Sequence, residues 1–155
     1  MLRRHLIILL ALAIVACRKS PASQALDAPA MLDSVNAWRA RGCVCGTDTM
    51  PPVPLLSWND TLARAAGAHA TDMYDNDYFS HIAPDGSSPI QRAMQAGYAG
   101  DYVGENIAEG YTSLASVMQA WMASEDHCQN IMDSTWSSMG AASAGTYWDQ
   151  EFGGY

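Results

Sequence analysis

Apolar residues recur along this chain at two spacings, and the switch between them separates helical from extended segments. Met31, Val35 and Trp38 stand at helical intervals ahead of Gly42, which predicts a first amphipathic helix over 31–41 stopped by a glycine cap. Turn formers from Gly46 to Pro54 predict irregular backbone, with Met50-Pro51-Pro52-Val53-Pro54 extended over the surface. A second helix is expected from Asp60 to about Tyr74, capped by Asn59 or Ser57, with Leu62, Ala65, Ala66, His69 and Met73 facing inward. The alanines suit close packing. His69, lying on that apolar face, reads as a core histidine hydrogen-bonded to backbone.

Further on, Ser88 and Pro89 have the form of a helix start, and Gly97 ends that short helix. From Tyr102 to Ala108 the residues alternate: Val103, Glu105 and Ile107 share one side, which predicts a strand with a glutamate projecting from a mostly apolar face. Leu114, Val117, Met118 and Trp121 then form a helical stripe behind a cap at Thr112 or Ser113. This helix is expected to end near Ser124-Glu125-Asp126, which would leave His127 just beyond its negative end. Two last strands, 139–144 and 146–152, meet at Gly145, and Trp148 and Phe152 share a face of the second. Helices come first and strands late, without a βαβ rhythm, so the fold class is α+β.

The N-terminus stands apart. Arg3 and Arg4 precede an apolar run, Leu6 to Ala16, too short to span a membrane and laid out as a signal peptide over 1–16. Ile14-Val15-Ala16-Cys17 resembles a bacterial lipoprotein signal, which implies lipidation at Cys17 and an extracytoplasmic, membrane-anchored protein. Arg18 after the cysteine points to the outer membrane if the source has one. Residues 17–29 read as a flexible tether and 30–155 as one domain. Without residues 1–16, six basic residues face sixteen acidic ones, a net charge of −10. Such a domain repels nucleic acid and anionic membrane surface and attracts cations.

Three cysteines remain. Cys43 and Cys45 are too close in sequence to bond comfortably to each other, so one of them is expected to bridge to Cys128. Cys45, followed by Gly46, is favoured over Cys43. Three thiols could also hold a metal, but an oxidising compartment argues against it.

The remaining chemistry lies in Phe79-Ser80-His81, Gly104-Glu105-Asn106-Ile107 and Trp121 through His127. With Leu56-Ser57-Trp58-Asn59, Asp77-Tyr78, Asp85-Gly86-Ser87, Ala96-Gly97-Tyr98, Asn130-Ile131-Met132 and Tyr147-Trp148…Gln150…Phe152-Gly153, the domain resembles the CAP superfamily of cysteine-rich secretory proteins, antigen 5 and pathogenesis-related 1 proteins, in its bacterial extracytoplasmic branch. The resemblance implies a three-layer α-β-α sandwich around a small antiparallel sheet. It also implies a cleft in which His81, Glu105 and His127 match three of four metal-binding positions, zinc being the usual ion.

The fourth position is Ser124 here, where many relatives carry glutamate. Glu125 is either a substitute acid or, with Asp126, a solvated helix end, and the second reading is favoured. Two imidazoles and a carboxylate form a zinc-like ligand set with room for water, so a metal-dependent hydrolase of peptide or cell-wall bonds, with Glu105 as base, is one reading. The favoured reading is a non-enzymatic envelope module that binds a small apolar ligand, a cell-wall fragment or an envelope protein. No Ser-His-Asp or Cys-His signature supports covalent catalysis.

Overall fold

The computed structural model describes residues 26–155. The segment 1–16, Cys17 and the tether up to residue 25 lie outside the described residues. Helix α1, Ala28–Arg41, is capped by Asp27, whose carboxylate accepts from the Ala30 N–H at 3.0 Å, and Pro29 sits in its first turn. The helix therefore takes in the last residues read as tether. It stops at Gly42 as expected, with φ +73° and the Met50 carbonyl 2.7 Å from where a Cβ would stand.

The stretch expected to be irregular is partly ordered. Cys43–Cys45 (β1) and Asp48–Met50 (β2) pair as an antiparallel hairpin around Gly46, whose φ of +59° supports the tight turn. Turn residues marked the bend, and the short β-branched pair Val44 and Thr49 in register across it carried the strand signal. After the proline-rich run comes β3, Ser57–Trp58, and then α2, Asp60–Asn76, whose N-cap is Asn59. Next come α3 (Pro89–Gln95), β4 (Tyr102–Glu109), α4 (Leu114–Ala123), α5 (Glu125–Met132), β5 (Ser138–Ala144) and β6 (Tyr147–Gly154).

The main sheet has the order β3-β5-β6-β4. Its long pairings are antiparallel, and the two-residue β3 joins β5 in parallel. Against one face pack α1, α4 and α5, with Met31, Val35, Val117, Trp121 and Ile131 meeting Met139, Trp148 and Phe152. Over the other lies α2, and α3 packs beside it. The approach of α2 is close because of Gly140: a Cβ there would stand 2.1 Å from the Ala63 nitrogen. The mixed composition and layering agree with the three-layer expectation, and β6 is buried along its whole length.

One expectation is corrected. His127 does not lie beyond a helix C-terminus; it occupies the first turn of α5. Ser124, extended at φ −95° and ψ 127°, closes α4 and opens α5 in a single residue. Glu125 and Asp126, read from sequence as the end of one helix, are the acidic first turn of the next, where the helix dipole favours them.

Cys45 and Cys128 form a disulfide, and the Cys43 thiol lies 3.7 Å from each of their sulfurs. On the α1 side, buried Arg39 donates to the carbonyls of Pro54, Ile131 and Asp133 at 2.7–2.9 Å and ties the first helix to the loop before β3 and to the C-terminal end of α5. Burial lowers its pKa to about 10, so it stays charged at neutral pH.

Two outcomes follow from this packing. Gly140→Ala is expected to destabilise the protein by at least about 2 kcal/mol in urea titration, because the clash is with helix backbone rather than with a movable side chain. Cys128→Ala removes a bridge across 83 residues and is expected to cost roughly 3–5 kcal/mol. Cys45→Ala should cost less, and a non-reducing peptide map of that variant should show Cys43 joined to Cys128.

Candidate functional site

Glu105 is the fixed point of the site. It projects from β4 toward α2 and α3, and its side chain is only 1% exposed. Oε1 is 2.6 Å from His81 Nδ1, and Oε2 pairs with the Arg92 guanidinium from α3. The same guanidinium donates to the carbonyls of His81 and Ser87 at 3.0 and 2.9 Å. Arg92 thus holds both the carboxylate and the loop that carries His81. The loop leaves α2 through Asp77, which takes the left-handed conformation at φ 53°. The His81 side chain remains 53% exposed at the cleft mouth.

His127 approaches from α5. Its Nδ1 is 2.9 Å from Ser124 Oγ, so the residue that starts the helix also orients the ring. Burial, and then the nearness of His81, lower its pKa, while Asp126 acts the other way. Its place at a helix N-terminus disfavours the imidazolium by a further ~0.3–1 kcal/mol, the opposite sign from that expected of a C-terminal position. A neutral imidazole results. Position is kept by amides: Asn130 donates to the Glu105 carbonyl and to Asn106 Oδ1 at 3.2 and 2.9 Å, and Asn106 donates to the His127 carbonyl at 3.3 Å. Beside His127 opens a groove of about 400 Å³ walled by Phe79, Ile107, Tyr111, Trp121 and Ser124.

His81 and Glu105 are therefore brought into contact, and His127 stands on the neighbouring wall. Glu125 is exposed, and its carboxylate lies against Gly46 of the hairpin turn, only 2.3 Å from where a Cβ would be. As a candidate metal site the cleft has suitable donor types in His81, Glu105 and His127. Among the described residues, however, two other trios bring their ligand atoms within 4.8 Å of one another: Cys43, Cys45 and Cys128, and His69, Glu105 and Asp149.

That second trio involves residues to which the sequence drew little attention. His69 is 1% exposed, with Nε2 placed 2.9 Å from the Ser80 carbonyl, the backbone bond expected of a core histidine. Burial lowers its pKa. Asp149 and Glu151 are fully buried on the same sheet face as Glu105. Desolvation first, and then Glu105, push both carboxyls up, Glu151 to about 9. Alternation along β6 was the available signal: if Trp148 and Phe152 face one core, Asp149 and Glu151 must face the other side. Only burial of that second side by α2 makes the acids unusual.

Comparison with known proteins gives a consistent picture. YkwD, an uncharacterized protein of Bacillus subtilis, is 36% identical over 99 residues, which cover 63% of this chain and 38% of that protein. YlbC, an uncharacterized membrane protein of the same organism, is 30% identical over 97 residues, 63% of this chain and 28% of that protein. The chain thus matches well under half the length of these curated relatives. Among solved structures, an extracellular protein containing a SCP domain from Bacillus anthracis superposes with a TM-score of 0.74 at 27% identity, over 83% of this chain and 40% of that one. An outer surface protein of Borrelia burgdorferi shares the fold, with a TM-score of 0.66 at 20% identity, over 85% of this chain and 98% of that one. The CAP pattern, described as the cysteine-rich secretory protein family, matches residues 32–152. The chain belongs to the cysteine-rich secretory protein (CAP) family.

Proposed function

We propose that this protein is a lipid-anchored binding module of the cell envelope, held through Cys17 and presenting the cleft between His81 and His127 to a small apolar ligand, a cell-wall fragment or an envelope protein. The observation that carries this reading is the engagement of Glu105. One oxygen contacts His81, the other contacts Arg92, and the side chain is sealed from solvent. A general base needs an oxygen within reach of the proton it removes. Here the carboxylate acts as a structural anchor for the cleft loop instead.

The adjoining groove suits binding. Phe79, 48% exposed at its edge, and the Trp121 and Tyr111 walls offer apolar surface next to one neutral imidazole and one exposed imidazole. Relatives that are extracellular or surface proteins support an envelope location, and no helix among the described residues is long and apolar enough to cross a membrane. A divalent cation, with zinc as the first choice, belongs to the same proposal. His81 and His127 would hold it, with Glu105 behind His81 orienting that ring, and burial keeps His127 in the neutral form that a ligand requires. When bound, the ion would supply a Lewis-acidic point for a carboxylate or carbonyl of the ligand.

Calorimetric titration of zinc into the detergent-extracted full chain tests the cleft. The wild type is expected to lose one binding event in the His81→Ala, His127→Ala double variant, and equal binding by both proteins would remove the cleft cation. Cys17→Ala is expected to move the protein from the membrane to the soluble fraction, which fractionation reads directly. Incubation with peptide and muropeptide panels should give no zinc-stimulated cleavage. Turnover that Glu105→Gln abolishes would replace the binding module with a hydrolase.

A further inference from the structure

The cluster beneath α2 gathers more buried acid than the basic side chains among the described residues pair with. In the β4–β6 register Glu105 stands directly opposite Glu151, with Asp149 on the diagonal. Like charges in those positions repel, and here solvent does not screen them: Asp149 and Glu151 are 0% exposed and the Glu105 side chain 1%. Among the described residues, no group offers a hydrogen bond to any of the four carboxylate oxygens of Asp149 and Glu151. Of the four arginines among the described residues, Arg92 is already paired with Glu105. Arg39 serves carbonyls on the opposite side of the sheet, Arg41 lies over Trp38, and Arg64 is exposed with a bond to the Ala96 carbonyl. Ionised together, three carboxylates against one guanidinium would carry an excess of two negative charges, which protons or a cation must offset. Burial of such a set without compensation is strongly unfavourable.

We propose that this layer is a second cation site, in which His69, Glu105 and Asp149 ligate one divalent first-row transition-metal ion and Glu151 completes its charge balance. The ligand atoms of the trio already lie within 4.8 Å of one another. The donor set decides the class of ion: an imidazole among carboxylates suits zinc or manganese, whereas calcium and magnesium prefer oxygen ligands alone. One divalent charge matches the excess. His69 and Arg92 also line a cleft of about 400 Å³ that opens between α2 and α3, on the side from which an ion would approach the buried acids. This site is separate from the cleft pair, as neither His81 nor His127 contributes to it. The two share only Glu105.

The test compares variants that leave Glu105 untouched. The full-length protein is stripped with a chelator and titrated calorimetrically with manganese and with zinc, and thermal melts are recorded with and without each metal. The His81→Ala, His127→Ala variant is expected to keep one high-affinity ion per chain. Asp149→Asn and His69→Gln are each expected to weaken that binding by more than about tenfold, since losing even an outer-shell partner has that effect. In the His81→Ala, His127→Ala background metal should raise the melting temperature, and adding Asp149→Asn should abolish that rise. In chelator Asp149→Asn should melt no lower than the wild type, which separates loss of a ligand from loss of the fold. Absence of binding by the wild type, or equal affinity in the wild type and Asp149→Asn, overturns the proposal. Binding lost only with His81 and His127 overturns it too, while leaving the cleft reading intact.

Discussion

The molecule depends on how closely α2 lies on the sheet. Gly140 brings helix backbone against strand backbone, and the alanines of α2 spread that contact along the helix. Its larger inward side chains, Leu62 and Met73, lie toward the two ends of the helix. The thinness of this interface lets His69 on the helix come within ligand distance of acids on β4 and β6. It also excludes water from those acids, so that their interactions operate in a medium of low polarity. The visible cleft is built outward from the same layer, because Glu105 faces His81 and Arg92 at its edge.

Much of the fold was legible because its periodicities are strong. The stripe Leu114, Val117, Met118 and Trp121, the alternation through Glu105, and the caps at Gly42 and Asn59 all describe local chemistry that the structure keeps. The break at Ser124 was not legible. Acidic residues after an apolar helix fit a solvated terminus as well as the start of a new helix, and the choice is made by Cys128, Ile131 and Met132 packing into the core one and two turns later. Reading the terminus the first way reversed the sign of the field at His127.

The site shows the same division. His81 and Glu105 stand out in sequence because polar groups with family-like spacing are easy to notice, and the structure joins them. Asp149 and Glu151 look ordinary: alternating acids on a terminal strand usually face water. Their character depends on a helix 80 residues earlier in the chain, and no local pattern carries that. Arg92 escaped notice for a similar reason, since a lone arginine on a short helix reads as surface until its three acceptors are in place.

The strand β6 has a consequence for how the chain finds its pairing. Its two sides are both buried but chemically unlike: Trp148, Gln150 and Phe152 face the α1 and α4 side, where Gln150 meets the sulfurs of Met31 and Met118, while Asp149 and Glu151 face α2. A slip of one residue would reverse every side chain. It would drive two carboxyls among methionines and press two large aromatic rings under a helix that has no room above Gly140. The acids therefore weaken the correct sheet and weaken its nearest competitor far more. By that asymmetry, acids that weaken the metal-free sheet still help to select a single register during assembly.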